Sequence, residues 1–230
     1  MFSNFVNHFN IYPKPMCYYV DSSLTKKEIK EVYNIGYEGI DFEAQPFLNG
    51  YSHPLVAVIL DENPAVATAA NWGLIPSWAK DRSIQKQTLN ARIETIAEKP
   101  SYRNNYQKRC LVLVKGFYEW KWMDGKGKAK QKHFLTLPNT NIIALGGIYG
   151  TWTDQESGEQ LSTFSIVTTK ANELMTEIHN TKHRMPIVLT KAMEKEWLTN
   201  RDIQDFAFPN HEADLVAVNL DQPLESATLF

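Results

Sequence analysis

The pattern of apolar and polar positions predicts a chain dominated by strands. Apolar runs at 55–60 and 65–74 flank the turn-forming tetrapeptide Asp61-Glu62-Asn63-Pro64 and predict a pair of strands. Residues 110–120 are rich enough in Leu, Val and aromatic side chains to form a buried strand. The runs at 133–137, 141–152, 161–168 and 185–189 predict further strands. Helical signals are short. Thr25 with Glu28 forms a capping box for a helix running to about Asn34 and ended by Gly36, and helices are also predicted over 101–109, 171–178 and, started by Thr190, over 191–198. The segment Trp72-Gly73-Leu74-Ile75-Pro76-Ser77-Trp78 reads as a structured loop. Many strands and few helices, without βαβ alternation, predict an α+β fold: a single domain with a curved, barrel-like, mostly antiparallel sheet and a few short helices.

Composition agrees with one domain. The 230 residues are 43% hydrophobic, enough for a core, and the eleven Gly and eleven Pro are scattered without repeat or linker. The expected organisation is an N-terminal extension or pro-segment over 1–15 and one domain over 16–230. No apolar run approaches the roughly 18 residues of a membrane-spanning helix, and the first fifteen residues lack the pattern of a signal peptide. A cytoplasmic protein is expected, with no membrane contact. Cys17 and Cys110 can form one bridge at most and neither stands in a metal-ligand spacing, so no metal and no cofactor are expected. The formal net charge of -2 hides a segregation. Between Lys80 and His133 stand 14 Lys or Arg against 5 Asp or Glu, leaving 10 against 21 elsewhere. A cationic groove on an acidic body suits a polyanion, although the stretch from Asp124 to Lys132 is equally readable as a solvated loop.

Five local features carry candidate chemistry. Met16-Cys17 places a small residue after a methionine, so that a start at Met16 followed by its removal leaves Cys17 N-terminal. Such a residue offers an amine and a thiol that together trap an aldehyde: the amine condenses to an imine and the thiol adds to it. An arbitrary cysteine is more often an inert core residue. Asn90-Ala91-Arg92-Ile93-Glu94-Thr95 offers Arg92 for a phosphate and the Asn90 amide for a sugar or an amine; a polar strand end is the plain alternative. Gly116-Phe117-Tyr118-Glu119-Trp120 sets Glu119 among aromatics, where poor solvation suits proton transfer near neutrality, unless it simply faces water. The run Ile178-His179-Asn180-Thr181-Lys182-His183-Arg184-Met185-Pro186 offers His179 as acid or base and Arg184 as a phosphate ligand. Finally, Trp72, Pro76 and Trp78 offer surfaces to wedge or stack against bases, although loop tryptophans are more often core.

Taken in order from Met16 to about Leu198, these motifs resemble the SRAP family, the SOS-response-associated peptidase-like proteins that crosslink to abasic sites. The resemblance implies a mixed α+β fold with a positively charged cleft for single-stranded DNA, a place in DNA damage repair near the nucleoid, and a monomer. It implies Cys17 as the crosslinking nucleophile, joined to the abasic sugar through a thiazolidine. Asn90 is then the group that positions it, Arg92 and Arg184 phosphate ligands, Glu119 a proton-transfer residue near the amine, and His179 the acid/base that helps open the deoxyribose ring.

Three departures from the family pattern matter. Fifteen residues precede Met16, so the chemistry requires translation from Met16 or cleavage before Cys17. Cys17 is followed by Tyr18-Tyr19 where many relatives carry Gly and Arg. Four residues, rather than one, separate Ile178-His179 from Arg184-Met185-Pro186, which keeps His183 as an alternative acid/base. Two other readings use the same residues: a cysteine peptidase or N-terminal-nucleophile hydrolase, and a non-covalent reader of modified or single-stranded DNA.

Overall fold

The structure is a computed structural model that describes residues 18–199 and 201–222. Met16 and Cys17, with the rest of the expected extension, lie outside the described residues. In chain order the elements are β1 (Tyr19–Asp21), α1 (Lys26–Tyr33), β2 (Gly36–Tyr37), β3 (Leu48–Asn49), β4 (Leu55–Leu60), β5 (Val66–Trp72), β6 (Asn90–Arg92), β7 (Arg109–Val114), β8 (Gly116–Trp122), β9 (Lys130–Thr136), β10 (Ile143–Thr153), β11 (Gln160–Lys170), α2 (Glu173–Ile178), β12 (Arg184–Pro186), β13 (Val188–Leu189), α3 (Lys191–Trp197) and β14 (Val216–Asn219). No helix among the described residues is long and apolar enough to cross a membrane.

Two sheets form the body. In the larger, β11, β10, β7, β4 and β5 pair in that order, and a parallel pairing of β5 with β11 (Asn71 opposite Thr163, Trp72 opposite Phe164) closes them into a five-stranded ring. The other four pairings of the ring are antiparallel, as the sequence predicted. The smaller sheet has the order β14-β9-β8-β1-β3, all antiparallel. Strand alternation sorts the apolar side chains into two clusters. Val56, Val58, Val112 and Val114 join Val20, Phe117 and Leu135 of the smaller sheet. Their neighbours Ala57, Ile59, Leu111 and Leu113 join Ile29 of α1 and Trp197 of α3.

The run predicted as one strand over 110–120 is two strands broken at Lys115, β7 in the ring and β8 in the smaller sheet. Gly116 makes the crossing possible, because a Cβ there would strike the Phe134 ring and lie 2.5 Å from the Leu135 carbonyl oxygen. The helix predicted over 101–109 is instead a series of turns. Hydrogen bonds such as Asn105 N–H to the Tyr102 carbonyl span only three residues, and the Asn105 side chain donates to the Tyr149 carbonyl at 3.1 Å, a competing use that Asn offers readily. The capping box of α1 forms as read, but the left-handed Asn34 (φ 55°) ends the helix and Gly36 already belongs to β2.

Candidate functional site

One apolar cluster underlies most of the predicted site residues. Leu89, Phe117, Ile178 and Met185 all belong to it. They stand next to Asn90, two before Glu119, next to His179 and next to Arg184. Tyr18, the first described residue, packs against the same cluster. Motifs that are far apart in sequence thus contribute to one apolar cluster.

The first wall is β6, which pairs in parallel with β11, Asn90 opposite Ile166 and Arg92 opposite Thr168. Asn90 is half-buried, and its carbonyl accepts the Tyr102 hydroxyl at 3.0 Å. Arg92 keeps 66% of its side-chain surface in solvent. A second wall is the inner face of β8, where Phe117, Glu119 and Lys121 alternate with the outward Tyr118, Trp120 and Trp122. Glu119 is buried, and directly across from it on β9 stands the equally buried His133. The His133 Nδ1 lies 3.2 Å from the Gln131 carbonyl oxygen, which only accepts, so this nitrogen carries a proton.

Helix α2 packs against β8. Asn172 caps it, its side chain accepting from Met175 N–H at 2.9 Å. Lys121 forms an ion pair with Glu177 at 2.5 Å, and Asn180 exchanges hydrogen bonds with both backbone groups of Trp122 at 3.1 and 2.8 Å. These contacts hold the C-terminal end of α2 against β8 and bring His179 to the end of the helix. His179 is buried, and its Nδ1 accepts the Arg184 backbone N–H at 3.3 Å. The neutral ring therefore carries its proton on Nε2. Burial first, then the charges of His183, Lys182 and Arg184, push the imidazole down to about 4, so it is neutral at pH 7. His183 is exposed and in a left-handed conformation (φ 51°).

Arg184 differs from its expected role. Its guanidinium is held inside the protein by a two-pronged ion pair with Glu94, the second bond at 2.9 Å, and by the Thr168 carbonyl and hydroxyl at 2.8 and 3.2 Å. Only 8% of the side chain reaches solvent. Glu94 also lies 4.0 Å from Arg92 Nε, so one carboxylate stands between two guanidinium groups. Burial pushes that carboxyl up, but hydrogen bonds from Arg184 and its own backbone, with both arginine charges, more than reverse the effect and leave it below the usual range.

The tryptophans divide. Trp72 is wholly buried, stacked on Phe164 with its Nε1–H donating to the Leu89 carbonyl at 2.9 Å, and Pro76 is buried too. Neither offers a face to a base, which corrects the stacking role expected of them. Trp78 is 53% exposed, anchored by a 3.2 Å hydrogen bond to the Pro100 carbonyl. Sequence reasoning missed a second aromatic surface, on the outer face of the smaller sheet. There Tyr19 stacks on Phe47 (4.5 Å), Trp120 meets Tyr19 edge-on (5.1 Å), and the Lys132 ammonium lies 3.8 Å from the Phe47 ring centre. The alternation of aromatics and lysines along β8 and β9 was the available signal. The stretch from Asp124 to Lys132 is an ordered turn, with the Asp124 carboxylate accepting the backbone N–H groups of Lys126, Lys128 and Ala129 and leaving Lys126, Lys128 and Lys130 exposed. Cys110 is buried in the core with its thiol pushed well up by burial and then by Asp61, an inert setting. Among the described residues no cluster of His, Cys, Asp or Glu is arranged to hold a metal ion.

The chain is 40% identical over 177 residues to the abasic site processing protein YoqW of Bacillus subtilis (strain 168), an alignment covering 76% of each. It is 34% identical over 179 residues to the abasic site processing protein HMCES of Gallus gallus, covering 66% of this chain and 49% of that one. A crystal structure of a protein from Bacteroides thetaiotaomicron superimposes with a TM-score of 0.78 at 32% identity, over 89% of this chain and 93% of the other. The family model described as SOS response associated peptidase (SRAP) matches residues 16–225, and the chain belongs to that family.

Proposed function

We propose that this protein processes abasic sites in DNA by capturing them, in single strands, as a covalent adduct of Cys17. The observation that supports the reading is that Leu89, Phe117 and Ile178, the sequence neighbours of Asn90, Glu119 and His179, belong to the same apolar cluster that Tyr18, the residue joined to Cys17 by a peptide bond, packs against. The abasic site processing names of the relatives supply the substrate. The active form begins at Cys17, through a start at Met16 or through cleavage, because an amide nitrogen cannot form an imine.

The chemistry balances without a cofactor. The closed sugar loses the proton of its C1′ hydroxyl as the bond from C1′ to the ring oxygen breaks, and the ring oxygen gains a proton. His179, neutral and holding its proton on Nε2, is suited to donate a hydrogen bond to that oxygen, and Glu119 to take up the proton released. The amine of Cys17 adds to the aldehyde, water leaves, and the thiol adds across the imine, its sulfur to the carbon and its proton to the nitrogen, to close a thiazolidine. Asn90 orients the sugar or the amine. Arg92 and Trp78 engage the strand, while Arg184 acts from inside through Glu94 rather than on a phosphate.

Denaturing electrophoresis tests this directly. Protein starting at Cys17, mixed with a single-stranded oligonucleotide containing one abasic site, should give a slow-migrating adduct that Cys17→Ala abolishes. Intact-mass analysis of protein from its own host should show the form beginning at Cys17. Adduct formation by Cys17→Ala, or turnover of peptides without an adduct, would refute the proposal in favour of a hydrolase or another nucleophile.

A further inference from the structure

His133 has no part in the family motifs, yet the β8–β9 register sets it directly opposite Glu119. Directly opposed residues leave adjacent strands on the same face with Cβ atoms about 4.5–5.5 Å apart. Both side chains are more than nine-tenths withdrawn from solvent. The His133 ring is fixed at one end, since Nδ1–H is committed to the Gln131 carbonyl. A second proton can therefore enter or leave only at Nε2. The ring also faces α2, where its charge helps hold the Glu177 carboxyl below the usual range, after the hydrogen bond and charge of Lys121.

We infer that His133 is a positioning residue for the capture reaction, controlling through its own charge whether the opposing Glu119 holds a proton. An imidazolium across the ladder favours the carboxylate form of Glu119; a neutral ring releases that bias and raises its proton affinity. Among the described residues, the elements packed against the pair carry Lys121 on β8, Glu177 of α2 and His179 at its C-terminal end, with the uncharged Asn219 of β14 opposite His133. Lys121 on the same strand is paired with Glu177, and His133 is the residue that the register sets directly across from Glu119. The inference rests on the proposed role of Glu119 as the proton acceptor, but the coupling itself is a property of the protein without DNA.

The test reads that property first. In protein carrying 13C-labelled glutamate carboxyl groups, the Glu119 titration is followed by NMR in the wild type, His133→Gln and His133→Lys. Removing the charge in His133→Gln should raise the apparent Glu119 pKa by about half a unit or more, whereas the fixed cation of His133→Lys should hold it at or below the wild-type value. Single-turnover capture of an abasic oligonucleotide should then show its acid limb displaced upward in His133→Gln by the same amount. At pH 9, where imidazole is neutral, the two rates should coincide. Superimposable Glu119 titrations in the three folded proteins would overturn the inference whether or not an adduct forms, as would a capture rate lowered equally at every pH. Absence of any adduct with an altered Glu119 titration would instead sink the proposed function and leave the coupling standing.

Discussion

Replacing Glu94 by Gln isolates the ion pair that ties the turn after β6 to β12. The substitution preserves shape and removes the charge, leaving the Arg184 guanidinium inside the protein with neutral acceptors, one amide oxygen and the Thr168 oxygens, but no anion. Breaking a fully buried pair destabilises by about 3–5 kcal/mol. The Arg184 side chain is 8% exposed but that of Glu94 is 33% exposed, so water screens one end and the expected loss falls to about 2 kcal/mol. Urea denaturation at pH 7 measures it, and a cycle with Arg184→Met and the double mutant isolates the coupling. The sign with pH follows from the lowered Glu94 carboxyl. Its stabilisation is complete above the ordinary carboxylate pKa and disappears as pH falls through the lower folded value, so wild type and Glu94→Gln should converge in acid. A loss under about 0.5 kcal/mol, the scale of an ordinary surface change, or strict additivity in the cycle, would refute the strut. The same variants separate the two arginines. Arg184→Met should leave the salt dependence of single-strand binding unchanged, while Arg92→Gln should reduce the slope of log K against log salt by about 0.7, one phosphate contact.

Two further outcomes follow from burial. The His179 pKa is about 4 in the folded protein against an ordinary 6.5, so the unfolded chain binds the extra proton and stability should fall by at most about 3 kcal/mol between pH 6.5 and 4; His179→Gln should remove that part of the pH dependence in urea melts, and identical profiles would show that the ring is not buried neutral. Gly116→Ala should destabilise by about 1–3 kcal/mol by thermal or chemical denaturation, because the added methyl meets the Leu135 carbonyl as well as the Phe134 ring; an unchanged midpoint would mean that β8 crosses to the second sheet with more room than the geometry gives it.

Most of the long strands were legible in the chain; which face each residue takes was far less so. Runs such as 55–60 and 161–168 announced strands because β-branched and apolar residues there match a pleated, buried surface. The closure of the ring was silent, since it depends on β5 meeting β11 in parallel about ninety residues away, a pairing no local pattern encodes. The candidate chemistry shows the same division. Trp72 and Trp78 belong to one motif, yet the first ends β5 pointing into the core while the second lies beyond the strand in solvent. Arg92 and Arg184 look interchangeable as phosphate ligands, but Arg184 is captured by Glu94, a partner ninety residues earlier that the motif contains without revealing its use. The β8–β9 hairpin makes the dependence on register sharpest. Phe117, Glu119 and Lys121 face inward only because the crossing at Lys115 and Gly116 sets the phase; one residue of slip would bury Trp120 and put Glu119 on the outside. His133 then owes its place beside Glu119 to a pairing rather than to a motif. A residue type scan passes over it for the same reason that the register brings it to the site.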